Sequence, residues 1–278
     1  MAKNVVSQKD FQKTQLPKTR KEQFFDILKH RFGLILKIGF ILLLSFLPLL
    51  GAMIYKDSMI IIINSNGYED VRERLVTVYA LYSLFIMVGL LIFFIVLAGI
   101  FKIVKELIFG EPIFFKEDFI EGIKENWKSF SLISIFVSIF SVIDIIISFA
   151  YSNQIIIQII PTMVNFAIIF PLCFVSLFIS SMYTNKVSTT IKGSIIIYFT
   201  KFPLVLLGYI FTFGIFLIRH TPLLYVKYSL FLMLVFILLP VALLMSFSIH
   251  IHIFDENINK NQYPDYYKKG LFINPDKR

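Results

Sequence analysis

Apolar residues in this chain fall in long runs, not in the narrow stripes of a soluble helix. Six runs stand out, at 34–55, 78–101, 130–151, 155–181, 202–218 and 226–249. A bilayer core of about 30 Å needs roughly 20 helical residues, and only the fifth run falls clearly short. None alternates with the period of two that a barrel strand requires. Helices remain as the way to satisfy the backbone without water. The pattern predicts an all-α, polytopic membrane helix bundle of six spanning helices with short cytoplasmic amphipathic helices. The chain divides into a basic N-terminal segment (1–31), the bundle (32–254) and a tail (255–278).

The polar connections carry their own pattern. Thr19-x-x-Glu22 is a capping box ahead of Phe24, Phe25, Ile27 and Leu28, and predicts a short helix before the first span. Between the second and third runs, Phe115, Phe119, Ile123 and Trp127 recur every four residues, with Lys116, Glu117, Glu121, Lys124, Glu125 and Lys128 filling the other positions. Glu117 and Asp118 suit the first turn of a helix, and Trp127 suits a membrane interface. These features predict a cytoplasmic amphipathic helix lying along the membrane. Shifted by 72 residues, Phe115, Phe119, Ile123, Trp127 and Phe130 fall on Val187, Ile191, Ile195, Phe199 and Phe202. That register fits either a repeated helical hairpin or a chance echo in a chain so rich in Phe and Ile. It also places Lys201 at the membrane boundary, with the shortest span beginning after it.

Composition agrees with the pattern: 57% of the 278 residues are apolar and only 16% are charged, against an apolar share near 45–50% in soluble domains. The net charge of +9 would suit a nucleic acid, but the basic residues flank apolar runs and no soluble domain is left to bind one. With the N-terminus inside, the inner segments hold 9, 5, 3 and 5 Lys and Arg residues. The outer ones hold Lys56, Arg72, Arg74, Arg219 and Lys227. This bias predicts both termini in the cytoplasm. The lone Cys173 excludes an internal disulfide, and the first run is too long for a secretory leader.

Asp144 is the one acid well inside a span, where a charge costs roughly 2.5–3.5 kcal/mol. A tight turn near Ser152-Asn153 would bring it to a depth between Gln158 and Thr162, with Asn165 on the face of Gln158. A buried cluster of Asp144, Gln158, Thr162 and Asn165 is therefore expected, as a packing contact or as part of a solute or proton path. Pro48, Pro161, Pro171, Pro203 and Pro240 lie in or beside spans as kinks. His250 and His252 are two apart, on different helix faces, which does not suit a metal pair. No P-loop, nucleophile elbow, zinc cluster or dinucleotide fingerprint is present. We therefore expect no enzyme activity, no metal and no cofactor, and any ATP coupling would come from a partner.

Four segments resemble one family: Leu42–Gly51, Asp118–Phe130, Ile191–Pro203 and the tail Tyr-Pro-Asp-Tyr-Tyr-Lys-Lys-Gly-Leu at 263–271. They are similar to the YesL-like bacterial membrane proteins, although the N-terminal extension and first outer loop here are longer. The resemblance implies the bacterial plasma membrane and an association with carbohydrate ABC uptake. It carries over no site residue. The first functional reading is an accessory to a transport system, with Phe115, Phe119, Ile123, Lys124, Trp127 and Lys128 as a docking helix for ABC-transporter components. A small transporter or channel in its own right, and a structural or assembly factor, are the alternatives.

Overall fold

The computed structural model describes residues 16–151, 154–183, 187–214 and 224–272. Among them no strand occurs. The capping box forms as expected: the Glu22 N–H donates to Thr19 Oγ1 (3.1 Å), and the Lys18 N–H donates to Glu22 Oε2 (2.8 Å). It starts α1 (Arg20–His30). Next come α2 (Phe32–Ser65), α3 (Val71–Phe109) and α4 (Phe115–Ala150). The remaining helices are α5 (Ile155–Met182), α6 (Val187–Thr200), α7 (Phe202–Phe213) and α8 (Lys227–Gln262).

Five of these helices, α2 to α5 and α8, are long and apolar enough to cross a membrane, and the pair α6–α7 makes a sixth if read as one bent span. The molecule is a multi-pass membrane helix bundle. At 1.5 Å per residue, the 34, 36 and 39 residues of α2, α4 and α3 give rods of about 50–60 Å. These rods outreach a core of about 30 Å, so the helices continue past the apolar runs that announce them. The expected outer loop from 56 is helical to Ser65, and the expected tail from 255 is helical to Gln262.

Two contacts fix the topology. Tyr183, after α5, donates to Asn259 near the end of α8 (2.6 Å). Lys227, at the start of α8, pairs with Asp57 of α2 (2.5 Å). We call the Tyr183–Asn259 end proximal and the Asp57–Lys227 end distal. The chain leaves α5 proximally and enters α8 distally, which agrees with reading the bent pair α6–α7 as part of a sixth span. Both ends of the described chain lie proximally, since the Phe272 N–H donates to the Pro17 carbonyl (2.9 Å). The expected end of the fifth span at 218, the turn at Ser152-Asn153, Arg219 and residues 1–15 lie outside the described residues.

Phe101 sits at the centre of the core with its ring on Phe130, Phe178 and Phe247 (5.2, 5.0 and 4.7 Å between centroids), tying α3 to α4, α5 and α8. Small residues allow close approach, as membrane helix packing requires. A Cβ on Gly122 would stand 2.7 Å from Lys102 Cβ, and one on Gly99 would stand 2.7 Å from the Phe119 carbonyl oxygen. Alpha-helical bonding is interrupted by π-turns at Asn165–Ile169, Leu234–Leu238 and Asp255–Asn259. The first follows Pro161, and the second sits where α8 meets Gly39 of α2.

Candidate functional site

The expected amphipathic helix at 115–130 does not lie along the membrane. It is the proximal half of α4 and runs unbroken into the third span. Its apolar stripe turns inward: Phe115, Phe119 and Ile123 are half-buried, Phe119 rests over Gly99 of α3, and Phe115 shares a groove with Leu36, Phe40 and Ile41 of α2. The charged Lys124 and Lys128 remain exposed, as does Trp127 (46%). Lys102 of α3 reaches Glu121 (2.8 Å) and Glu125 (3.1 Å) of α4, which braces the hairpin from its flank.

The tip of this hairpin holds two acids. Asp118 is buried and accepts the Phe114 N–H (2.5 Å), closing the turn that follows Gly110, whose φ of 70° is left-handed. Glu106 lies past the apolar run of α3, buried against the side chain of Asp118. Burial first, then the Asp118 carboxylate, push the Glu106 carboxyl up to about 7.

Opposite that tip, α1 and the tail close the proximal end. Buried Arg20 pairs with buried Asp255 of α8 (2.9 Å) and also donates to Gln23 (2.8 Å) and the Lys269 carbonyl (2.9 Å). Asp255 accepts further from the Asn259 side chain (2.8 Å) and the Lys268 N–H (3.2 Å). Gln23 donates to the carbonyls of Ile108 (2.5 Å) and Gly270 (3.1 Å), so α1 touches α3 and the tail at once. Lys269 reaches Glu111 (2.5 Å), and Tyr266 stacks on Phe109. Gly270 has φ 80°, and a Cβ there would come within 2.4 Å of the Ile108 carbonyl oxygen. The tail, with its Lys269-Gly270-Leu271, is thus a strap across the bundle end.

The expected intramembrane cluster assembles in part. Thr162 donates to Asp144 across the α4–α5 interface (2.8 Å), and Asn165 is buried and donates to the Phe140 carbonyl (3.3 Å). Gln158 bonds instead to the Tyr151 carbonyl (2.7 Å) and stays apart from Asp144. That carbonyl, at the end of α4, also accepts the Gln154 N–H (2.8 Å). Asp144 is only half-buried. The result is a seam of separate hydrogen bonds between two helices.

Sequence reasoning missed two other polar contacts. Asp57 takes Lys227, Tyr228 (2.7 Å) and Lys56 (3.3 Å) at the distal end. Only the charges of Lys56, Asp57 and Lys227 at run ends could have signalled it. Within the bundle, Ser246 donates to the Gly208 carbonyl (2.7 Å) and bonds Thr212 (2.7 Å). His250 is fully buried, stacks on Phe178 (3.9 Å) and bonds the Ser246 carbonyl through Nδ1 (2.8 Å), while His252 is exposed. Among the described residues no three His, Cys, Asp or Glu side chains converge on a metal position. No family model, no curated protein and no solved structure matches the chain.

Proposed function

We propose that this chain is an accessory membrane component of a transport system, with its proximal end in the cytoplasm as a docking platform. The observation that carries the reading is the bracing of that end. The α3–α4 tip, α1, the end of α8 and the tail are tied by the Arg20–Asp255 pair, Gln23 and the Lys269–Glu111 pair. Such a layer holds an exposed surface without spending binding energy on ordering it. On its outer side α4 offers Ile120, Lys124, Trp127 and Lys128. An exposed indole among charges is the composition of an interface hot spot. Phe115, Phe119 and Ile123 act as the anchor of this surface in the bundle and not as its contact face.

The excess of Lys and Arg on the proximal segments supports their cytoplasmic placement. The resemblance to the YesL-like proteins supports the bacterial plasma membrane, and carbohydrate uptake by an ABC transporter as the system served. The seam at Asp144 then serves packing. To test this, a photo-crosslinker is placed at Lys124 in native membranes, and adducts are probed for ABC permease and ATPase subunits. Adducts with those subunits that vanish in Trp127→Ala are expected. Solute flux into liposomes holding this protein alone, abolished by Asp144→Asn, would contradict the reading and favour a transporter.

A further inference from the structure

A cleft of about 630 Å³ opens at the proximal end between the start of α1, the end of α8 and the tail. Its charge is unbalanced. Lys18, Lys21, Lys260 and Lys268 line it, and none of them has an acidic partner among the described residues. Both acids on its wall are already engaged. Asp255 is held by Arg20 (2.9 Å), and Glu256 is held by Lys201 (3.0 Å) and lies 3.4 Å from His252. The first turn of α1, an 11-residue helix, forms one wall. Arg20 also borders the cleft, but it is buried and already engaged by Asp255, Gln23 and the Lys269 carbonyl, so the four lysines are left to meet a ligand.

We infer that this cleft binds a phosphate-bearing anion, as a phosphomonoester or diphosphate group held by Lys18, Lys21, Lys260 and Lys268 against the α1 N-terminus. Lysines act on phosphate as mobile point charges, and a helix N-terminus adds oriented N–H groups and a favourable dipole end. Four lysines with no counterion repel one another, and an anion seated between them relieves that repulsion. A lipid headgroup and a free phosphorylated solute share this chemistry.

The test uses the whole chain in phosphatidylcholine nanodiscs, titrated with inorganic pyrophosphate by calorimetry. A parallel arm measures thermal melting in discs with and without phosphatidic acid. The variants are Lys18→Glu/Lys21→Glu/Lys260→Glu and, as a control away from the cleft, Lys124→Glu/Lys128→Glu. All five substituted side chains are exposed, so the fold is retained, and size-exclusion profiles check it. Pyrophosphate binding that weakens about tenfold or more in the triple variant but not in the control supports a soluble ligand. Stabilisation by phosphatidic acid alone, lost in the triple variant, supports a lipid headgroup. No effect in either arm, or equal losses in both variants, overturns the inference.

Discussion

Residues 115–130 and 187–202 carry the same spacing of large apolar side chains, yet the molecule uses them in opposite ways. In the first, the stripe of Phe115, Phe119 and Ile123 is half-buried in the bundle, and the helix continues into a span. In the second, Val187, Ile191, Ile195, Phe199 and Phe202 are all exposed, Phe199 at 67%. The face of α6 that packs inward is Thr190, Ser194, Ile197 and Tyr198. Ser194 bonds Ser176 of α5 (2.8 Å), and Tyr198 donates to the Ala167 carbonyl. There the chain bends by 102° at Lys201. Pro203 has no N–H to return to the Phe199 carbonyl, and its ring would collide with that oxygen in a continuous helix. The position 72 residues earlier is Ser131, which keeps its N–H. Pro203 contributes to the break at this site, whereas Pro48 is carried inside the unbroken α2, and sequence similarity in the stripe does not carry similarity in structure.

Four changes break or sharpen this contrast. Asp255→Ala strands buried Arg20 without its partner, for which about 3–5 kcal/mol of destabilisation is expected. Melting should fall sharply, and proteolysis should release α1 and the tail while α6 keeps its protection. Ser131→Pro imports the break into α4. It should cost about 3 kcal/mol and loosen the α3–α4 hairpin beside the Lys102–Glu121 brace, read as faster amide exchange over residues 117–128. Glu106→Gln removes an acid whose carboxyl is held up to about 7. In wild type the folded state binds this proton more tightly than the unfolded one, so stability falls as pH rises from about 4.5 to about 7. The variant should lose that slope in pH-dependent melts. Pro203→Ala returns the missing N–H in α7 and should move melting least, while partly straightening the α6–α7 bend.

Much of this was legible in the residues. Long apolar runs announce the spans, and the capping box announces α1. The position of Lys201 among apolar residues announces the start of α7, where it is the N-cap. Asp144 and Thr162 could be paired because a short hairpin fixes their depth. The rest depends on partners distant in sequence. Arg20 meets Asp255 across 235 residues and Lys227 meets Asp57 across 170, and neither spacing leaves a local pattern. The continuity of α4 was also hidden, because helical backbone does not register the change from an amphipathic to an apolar environment at Phe130. The stripe at 115–127 read as a membrane-facing surface. A periodicity states that a face is apolar, and the glycines at 99 and 122 decide what covers it.

The contrast between the two connections can be measured as two distances by pulsed electron–electron resonance. With spin labels at positions 117 and 146, an unbroken α4 places its labelled backbones about 44 Å apart. With labels at 188 and 211, the 102° bend predicts about 22 Å, where a continuous helix would give about 35 Å. The long α4 distance together with the short α6–α7 distance is the expected result. A shortened 117–146 distance, or a 188–211 distance near that of a straight helix, would contradict it.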